Sequence, residues 1–302
     1  MPNADIVLQS SDLVDFRVHK SALVASSPFF DDMFSLPQPP NDTSPDQLPV
    51  LHLSEDAEVL NSLVSMLYPV PPEMPHASDN ILSLLAAAEK YDMSEVQSSI
   101  RAEINRRGLL SSTPAEVFRV YAIACNKGLL PEMASSARLS LGHPLTFKTL
   151  GDALGCFEGW ALRELANFRQ RSMDNFSSNL RSFSNCIEGP SKIWTGCSEA
   201  KVGGGGAHLP FWLERCFWSE WGMSKWPDFM LVDDRFAQTV PTAAELCDEY
   251  LNALQSHVKD KDCHFCLRVH ALEGEKYCEE LKKVSTEVWN IPTPTLERNM
   301  GL

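Results

Sequence analysis

The chain has 302 residues, of which 44% are hydrophobic, 9% aromatic and 22% charged. That is enough apolar material for two domains with cores of ordinary size. A formal net charge of −14 repels phosphate backbones and argues against general nucleic-acid binding.

No apolar run has the length of a bilayer span, and MPNADIVLQSSD has neither the basic stretch nor the apolar stretch of a secretory leader. The expected setting is therefore intracellular, with no membrane partner. Nine cysteines in such a setting read as thiols or metal ligands rather than disulfides. The charge is uneven. Residues 1–110 carry 16 acids and 6 bases, residues 111–174 carry 6 and 7, and the remainder carries 18 and 13.

Asp5 to Leu8 reads as a buried strand and Ser10-Ser11-Asp12 as a turn. Phe16 and Val18 alternate with Asp15 and Arg17, as in a half-buried partner strand. A short helix with Leu23 and Val24 follows. Ser27 is placed to cap the next helix, with Pro28 at its first position. The run PQPPNDTSPDQ, 37–47, is a loop by composition. PVLHL, 49–53, is a short strand, after which Ser54 is expected to cap a helix bearing Val59, Leu60, Leu63, Val64 and Leu67. PVPPEMP breaks it. Ile81 to Tyr91 and Val96 to Ile104 give two further helices. Three strands and five helices in about a hundred residues make an α+β domain.

From Thr113 to Phe183 the pattern is helix after helix. Pro114 opens one, Gly128 and Pro131 bracket a turn, Gly142-His143-Pro144 closes a second, and Trp160 to Phe183 forms a longer one. After Asn185 the character changes: six of seven tryptophans fall between Trp194 and Trp289, and residues 240–257 and 264–288 again read as helices. The domains are therefore expected at 1–110, 111–185 and 186–302. The last is a mainly helical region rich in Trp and Cys.

The order Ala4-Asp5-Ile6-Val7-Leu8, Phe16-Arg17-Val18-His19-Lys20, Leu23, Ser27-Pro28-Phe29-Phe30, Met33-Phe34 carries a resemblance. So do Leu51-His52-Leu53-Ser54, Leu63 to Tyr68 and Leu84 to Tyr91 further on. Together they resemble a BTB/POZ domain over residues 4–105, and the whole layout is similar to the BTB proteins expanded in mushroom-forming fungi.

The resemblance implies an interaction module without catalysis. It implies that Asp5 and Lys20 lie together in a charged pocket at a dimer interface, and that Leu23, Phe29, Phe30, Met33 and Phe34 serve dimer or partner binding. By the residues alone, Lys20 would simply face solvent after a strand, and His19 would pack and hydrogen-bond locally. Some members of the family are substrate adaptors that bind a cullin. Those usually carry an apolar residue, any residue, then Glu after the second helix, whereas the loop here, SLPQPPNDTSPDQ, holds no Glu.

Cys263-His264-Phe265-Cys266 is the sharpest chemical motif. A structural zinc site needs two more ligands. Cys197 and His208 would complete a Cys197, His208, Cys263, Cys266 set, with His270 as a substitute. The other reading makes these thiols small buried apolar groups. Gly203 to Gly206 lacks the Lys-Ser/Thr of a phosphate loop, and no nucleophile–base spacing is present. The expected function is an interaction protein that self-associates or binds a partner. A cullin adaptor is the alternative, and a thiol- or metal-dependent enzyme ranks last.

Overall fold

The computed structural model describes residues 3–36, 48–69, 73–108 and 113–186, with scattered positions between 239 and 294. These residues fall into two compact units. The first comprises the chain up to Ser136 with Leu150–Ala161; the second comprises Ala137–Thr149 with the chain from Leu162 to Pro294.

The first unit opens on a hairpin, β1 (Ile6–Gln9) and β2 (Asp15–Val18). Ile6 pairs with Val18 and Gln9 with Asp15, antiparallel. β3 (Val50–His52) joins β1 on its other side in parallel, Leu8 opposite Leu51, so β1 is central. This explains the composition of the strands. β1 is a continuous apolar run because both its faces are covered, with Ile6, Val7 and Leu8 all buried. β2 alternates, burying Val18 and exposing Asp15 and Arg17.

Five helices follow in the pattern that the spacing predicts: α1 (Lys20–Ser26), α2 (Pro28–Ser35), α3 (Ala57–Ser65), α4 (Ser78–Lys90) and α5 (Ser94–Arg107). Ser27 caps α2 as expected, its hydroxyl accepting from the Phe30 amide at 3.2 Å while Pro28 takes the first position. The expected cap at Ser54 is corrected. Asp56 caps α3, its carboxylate accepting from the Val59 amide at 2.8 Å. Ser54 instead accepts from the Lys90 ammonium at 2.7 Å. A carboxylate is the better acceptor at the positive end of a helix, and the chain at 54–55 is drawn towards α4 by Lys90.

α4 is the axis of this unit. It buries Ile81 and Leu82 and, in its LLAAA run, Leu84, Leu85, Ala87 and Ala88, and it packs against α3, α5 and α6 (Pro114–Lys127). α6 is capped by Thr113, which accepts from the Glu116 amide at 3.2 Å. It ends at Gly128, whose φ of +79° is the left-handed turn that glycine takes most easily. Arg101 on α5 joins Glu89 of α4 at 2.5 Å and Glu132, near the start of α7 (Leu130–Leu139), at 2.9 Å. The core of the first unit therefore continues beyond the strands and five helices into α6 and α7.

The second unit contains the turn after α7, the short α8 (Phe147–Leu150) up to Thr149, and most of α9 (Gly159–Cys186). In α9, Leu165, Phe168, Arg169, Ser172 and Phe176 are buried at helical spacing. The Arg169 guanidinium donates to the Ser140 and His143 carbonyls. It thereby adds a charged donor at the end of α7, where the Ser140 carbonyl of the 3-10 turn Ser140–Gly142 also accepts from the His143 amide at 3.1 Å. Burial holds the Arg169 pKa down at about 10. The Val240 amide donates to the Leu141 carbonyl at 2.8 Å, and Val240 is buried. Among the described residues, no helix is long and apolar enough to cross a membrane.

Candidate protein-interaction surface

An exposed aromatic on a regular element is carried by α2, packed beside α1, and its geometry follows from Ser27 and Tyr91. The Ser27 hydroxyl caps α2 and also donates to the Tyr91 carbonyl. Phe30 lies against the Tyr91 ring at 5.1 Å and Phe34 at 6.1 Å. Because α2 turns about 100° per residue, fixing Phe30 inward leaves Phe29 partly exposed, its ring meeting Phe30 at 5.3 Å and Tyr91 at 5.6 Å.

The candidate residues thus divide. Leu23 and Phe30 are 1% exposed each; they are core side chains, and Phe30 lies against Tyr91. Phe29 is 43% exposed, and Met33 and Phe34 are half-buried on the same helix. Leu36, at the end of α2, is 64% exposed. Asp31 and Asp32 are exposed in the same helix and give the apolar face an acidic border.

Asp5 and Lys20 lie together through a backbone contact. Asp5 is exposed, and its carboxylate accepts from the Lys20 backbone amide at 2.7 Å. His19, at the cap position of α1, offers no side-chain bond to the helix. Asp5 therefore supplies the missing acceptor from just before β1, and its charge complements the helix end. The Lys20 ammonium lies over the Phe34 ring at 5.4 Å from its centroid. The nearer demand, an open amide at a helix start, takes the carboxylate first. His19 behaves as the sequence implies: its amide donates to the Tyr68 hydroxyl at 3.1 Å, and its Nδ1 lies 3.1 Å from the same oxygen.

Behind this surface sits a polar lock. The Tyr91 hydroxyl donates to Glu55 Oε2 at 2.5 Å, and the Lys90 ammonium reaches Glu55 Oε1 at 2.9 Å and the Tyr91 hydroxyl at 3.0 Å. Burial works against ionising Glu55, but the bonds from Tyr91 and Lys90 outweigh it and hold the carboxyl below its ordinary pKa. Burial first, then the Glu55 carboxylate, pushes the Tyr91 phenol far up, so it remains a donor.

The sequence reading missed one exposed apolar pair, Leu13 and Val14, 76% and 42% exposed at the tip of the β1–β2 hairpin. The available signal was two aliphatic residues inside a segment that turn chemistry already marked. The proposed metal ligands Cys197, His208, Cys263 and Cys266, and the substitute His270, lie outside the described residues, as does most of the loop in which the cullin-type Glu was sought. Among the described residues, no group of three or more His, Cys, Asp or Glu is placed to hold a metal. Burial pushes the Cys125 thiol up to about 11, as expected for a buried, unreactive cysteine.

No curated protein matches the chain. Residues 2–107 match the family model of the BTB/POZ domain, a span that covers β1 to α5. With its three short strands flanked by helices, this first third of the chain is a BTB/POZ domain, a protein–protein interaction module.

Proposed function

We propose that the chain is an interaction protein that self-associates through the outer face of α1 and α2, with residues 186–302 supplying specificity for a further partner. The observation that carries this reading is the split of the aromatic pair on α2. Phe30 is locked inward against Tyr91, while Phe29 is left 43% exposed beside half-buried Met33 and Phe34. A contiguous apolar face on a helix is costly to leave in water unless a partner covers it.

Under this reading Asp5 and Lys20 orient the face by fixing the start of α1 and the ring of Phe34. Sedimentation velocity on the full chain across a concentration series tests the proposal. Self-association that Phe29→Asp abolishes supports it. A single-chain species at every concentration, or a dimer unmoved by Phe29→Asp, refutes it.

A second reading, a substrate adaptor of a cullin-type ubiquitin ligase, draws on one observation: α6 packs on α4, so helices beyond the BTB/POZ domain belong to the same compact unit. Capture of a purified cullin by the full chain supports that reading, and failure of capture removes it.

A further inference from the structure

We propose that Cys247 and Cys278 form a reversible disulfide, which makes the second unit responsive to thiol redox state. The two cysteines are separated by 31 positions, yet the Cys247 thiol lies 3.5 Å from the Cys278 carbonyl oxygen. Both are free thiols and both are buried.

Their approach is set by well-formed local structure. Cys247 stands in a helical stretch with Ala244, Glu245 and Asp248, and Cys278 in another with Glu279, Lys282 and Lys283. The first stretch opens on a reciprocal cap. The Glu245 amide donates to the Thr242 hydroxyl oxygen at 3.2 Å, and the Glu245 carboxylate accepts from the Thr242 amide at 2.7 Å and from its hydroxyl at 2.9 Å. Such a cap fixes the first turn of a helix, and Cys247 is two residues beyond it. The thiol is thus positioned by a bonded turn rather than by a free loop.

A thiol this close to the backbone of another cysteine, across distant segments, brings the two residues within reach of a disulfide without a large backbone movement. The oxidant class is a low-molecular-weight disulfide such as glutathione disulfide. One protein thiolate attacks a sulfur of it, forming a mixed disulfide and releasing one glutathione thiolate. The second protein thiolate then attacks the protein-side sulfur, closing the Cys247–Cys278 bond and releasing the other glutathione. Two protein thiols lose two protons and two electrons, and one glutathione disulfide becomes two glutathiones.

Burial, with the adjacent Cys247 thiol and Asp248, pushes the Cys278 thiol up to about 11, while Lys282 pulls the other way. The thiolate population is therefore small, and exchange proceeds through brief opening of the segment. The bond, once closed, links the two segments that flank Cys263-His264-Phe265-Cys266 in the sequence.

The full chain is incubated to equilibrium in glutathione disulfide or in reduced glutathione, alkylated without reduction, digested and mapped by mass spectrometry. The expected result is a Cys247–Cys278 cross-linked peptide in the oxidised sample, its disappearance when reduced glutathione is restored, and a higher denaturation midpoint for the oxidised chain. Cys247→Ala removes the cross-link and leaves Cys278 alkylated or glutathionylated. The wild-type map needs no variant to fold, so it decides alone. Alkylation of both Cys247 and Cys278 in the oxidised sample overturns the proposal, and so does pairing of either with Cys263, Cys266 or another cysteine.

Discussion

The two compact units bury polar groups in different ways. In the first, charges meet opposite charges: Glu55 with Lys90, Arg101 with Glu89 and Glu132. In the second, the Arg169 guanidinium, 4% exposed, is spent on backbone carbonyls. The first arrangement stabilises the meeting of helices, and the second repairs the end of one. A buried cation used in this way makes the turn after α7 depend on one side chain, whereas the described ion pairs of the first unit are spread over several.

The sharpest way to break that comparison is to empty each core in turn. Phe30→Ala removes the ring stacked on Tyr91 and destabilises the first unit by about 3–5 kcal/mol, read as a lowered urea midpoint. Arg169→Met keeps the length and removes the donors. With the Ser140 and His143 carbonyls left without them, it costs the second unit about 2–4 kcal/mol and shows in hydrogen exchange of residues 137–149 while residues 6–18 are unaffected. Equal loss in both regions would mean that the two units unfold together and that the contrast has no energetic meaning.

Glu55→Gln is milder, about 1 kcal/mol, and its signature is pH dependence. The folded Glu55 carboxyl titrates below its ordinary 4.5, so the unfolded chain binds a proton first as pH falls. Its contribution is fully present above about 4.5 and is lost as pH drops through the lower folded value. Glu55→Gln should flatten the acid limb of the first unit, and Tyr91→Phe should do so in part.

The second unit should respond earlier. Burial, with the charge of Arg169, lowers His143 from 6.5. Stability is again present above the unfolded value and lost as pH falls, here from near neutrality. Acid unfolding that begins in the first unit would contradict both assignments. Phe29→Asp should cost about 1 kcal/mol, because the ring is 43% exposed but still meets Phe30 at 5.3 Å and Tyr91 at 5.6 Å. Its consequence falls on association.

The same contrast explains what the sequence disclosed. The first unit was legible because each element carried its own local signal: the apolar run of β1, the alternation of β2, Ser27-Pro28 before α2, and LLAAA in α4. The cap before α3 was misplaced, because Ser54 and Asp56 are both good cap residues and the contact that draws Ser54 away comes from Lys90, 36 positions later. Asp5, expected inside the first buried strand, is exposed just before it.

The candidate surface was half legible. The family resemblance grouped Leu23, Phe29, Phe30, Met33 and Phe34, but which of two adjacent phenylalanines is more exposed depends on the packing around Tyr91, and that is tertiary. Asp5 and Lys20 were paired correctly as neighbours, while the bonding atom, a backbone amide, carries no sequence signature. In the second unit, Arg169 looked like any arginine on the solvated face of a long helix. Nothing local announces a guanidinium that caps another helix.

Hydrogen–deuterium exchange on the full chain, measured across a concentration series, tests the central claim most directly. If the outer face of α1 and α2 is where two copies meet, protection should rise with concentration in peptides covering residues 20–36, and Phe29→Asp should remove that rise. Protection that does not change with concentration, or that rises elsewhere and leaves residues 20–36 as they were, would contradict it.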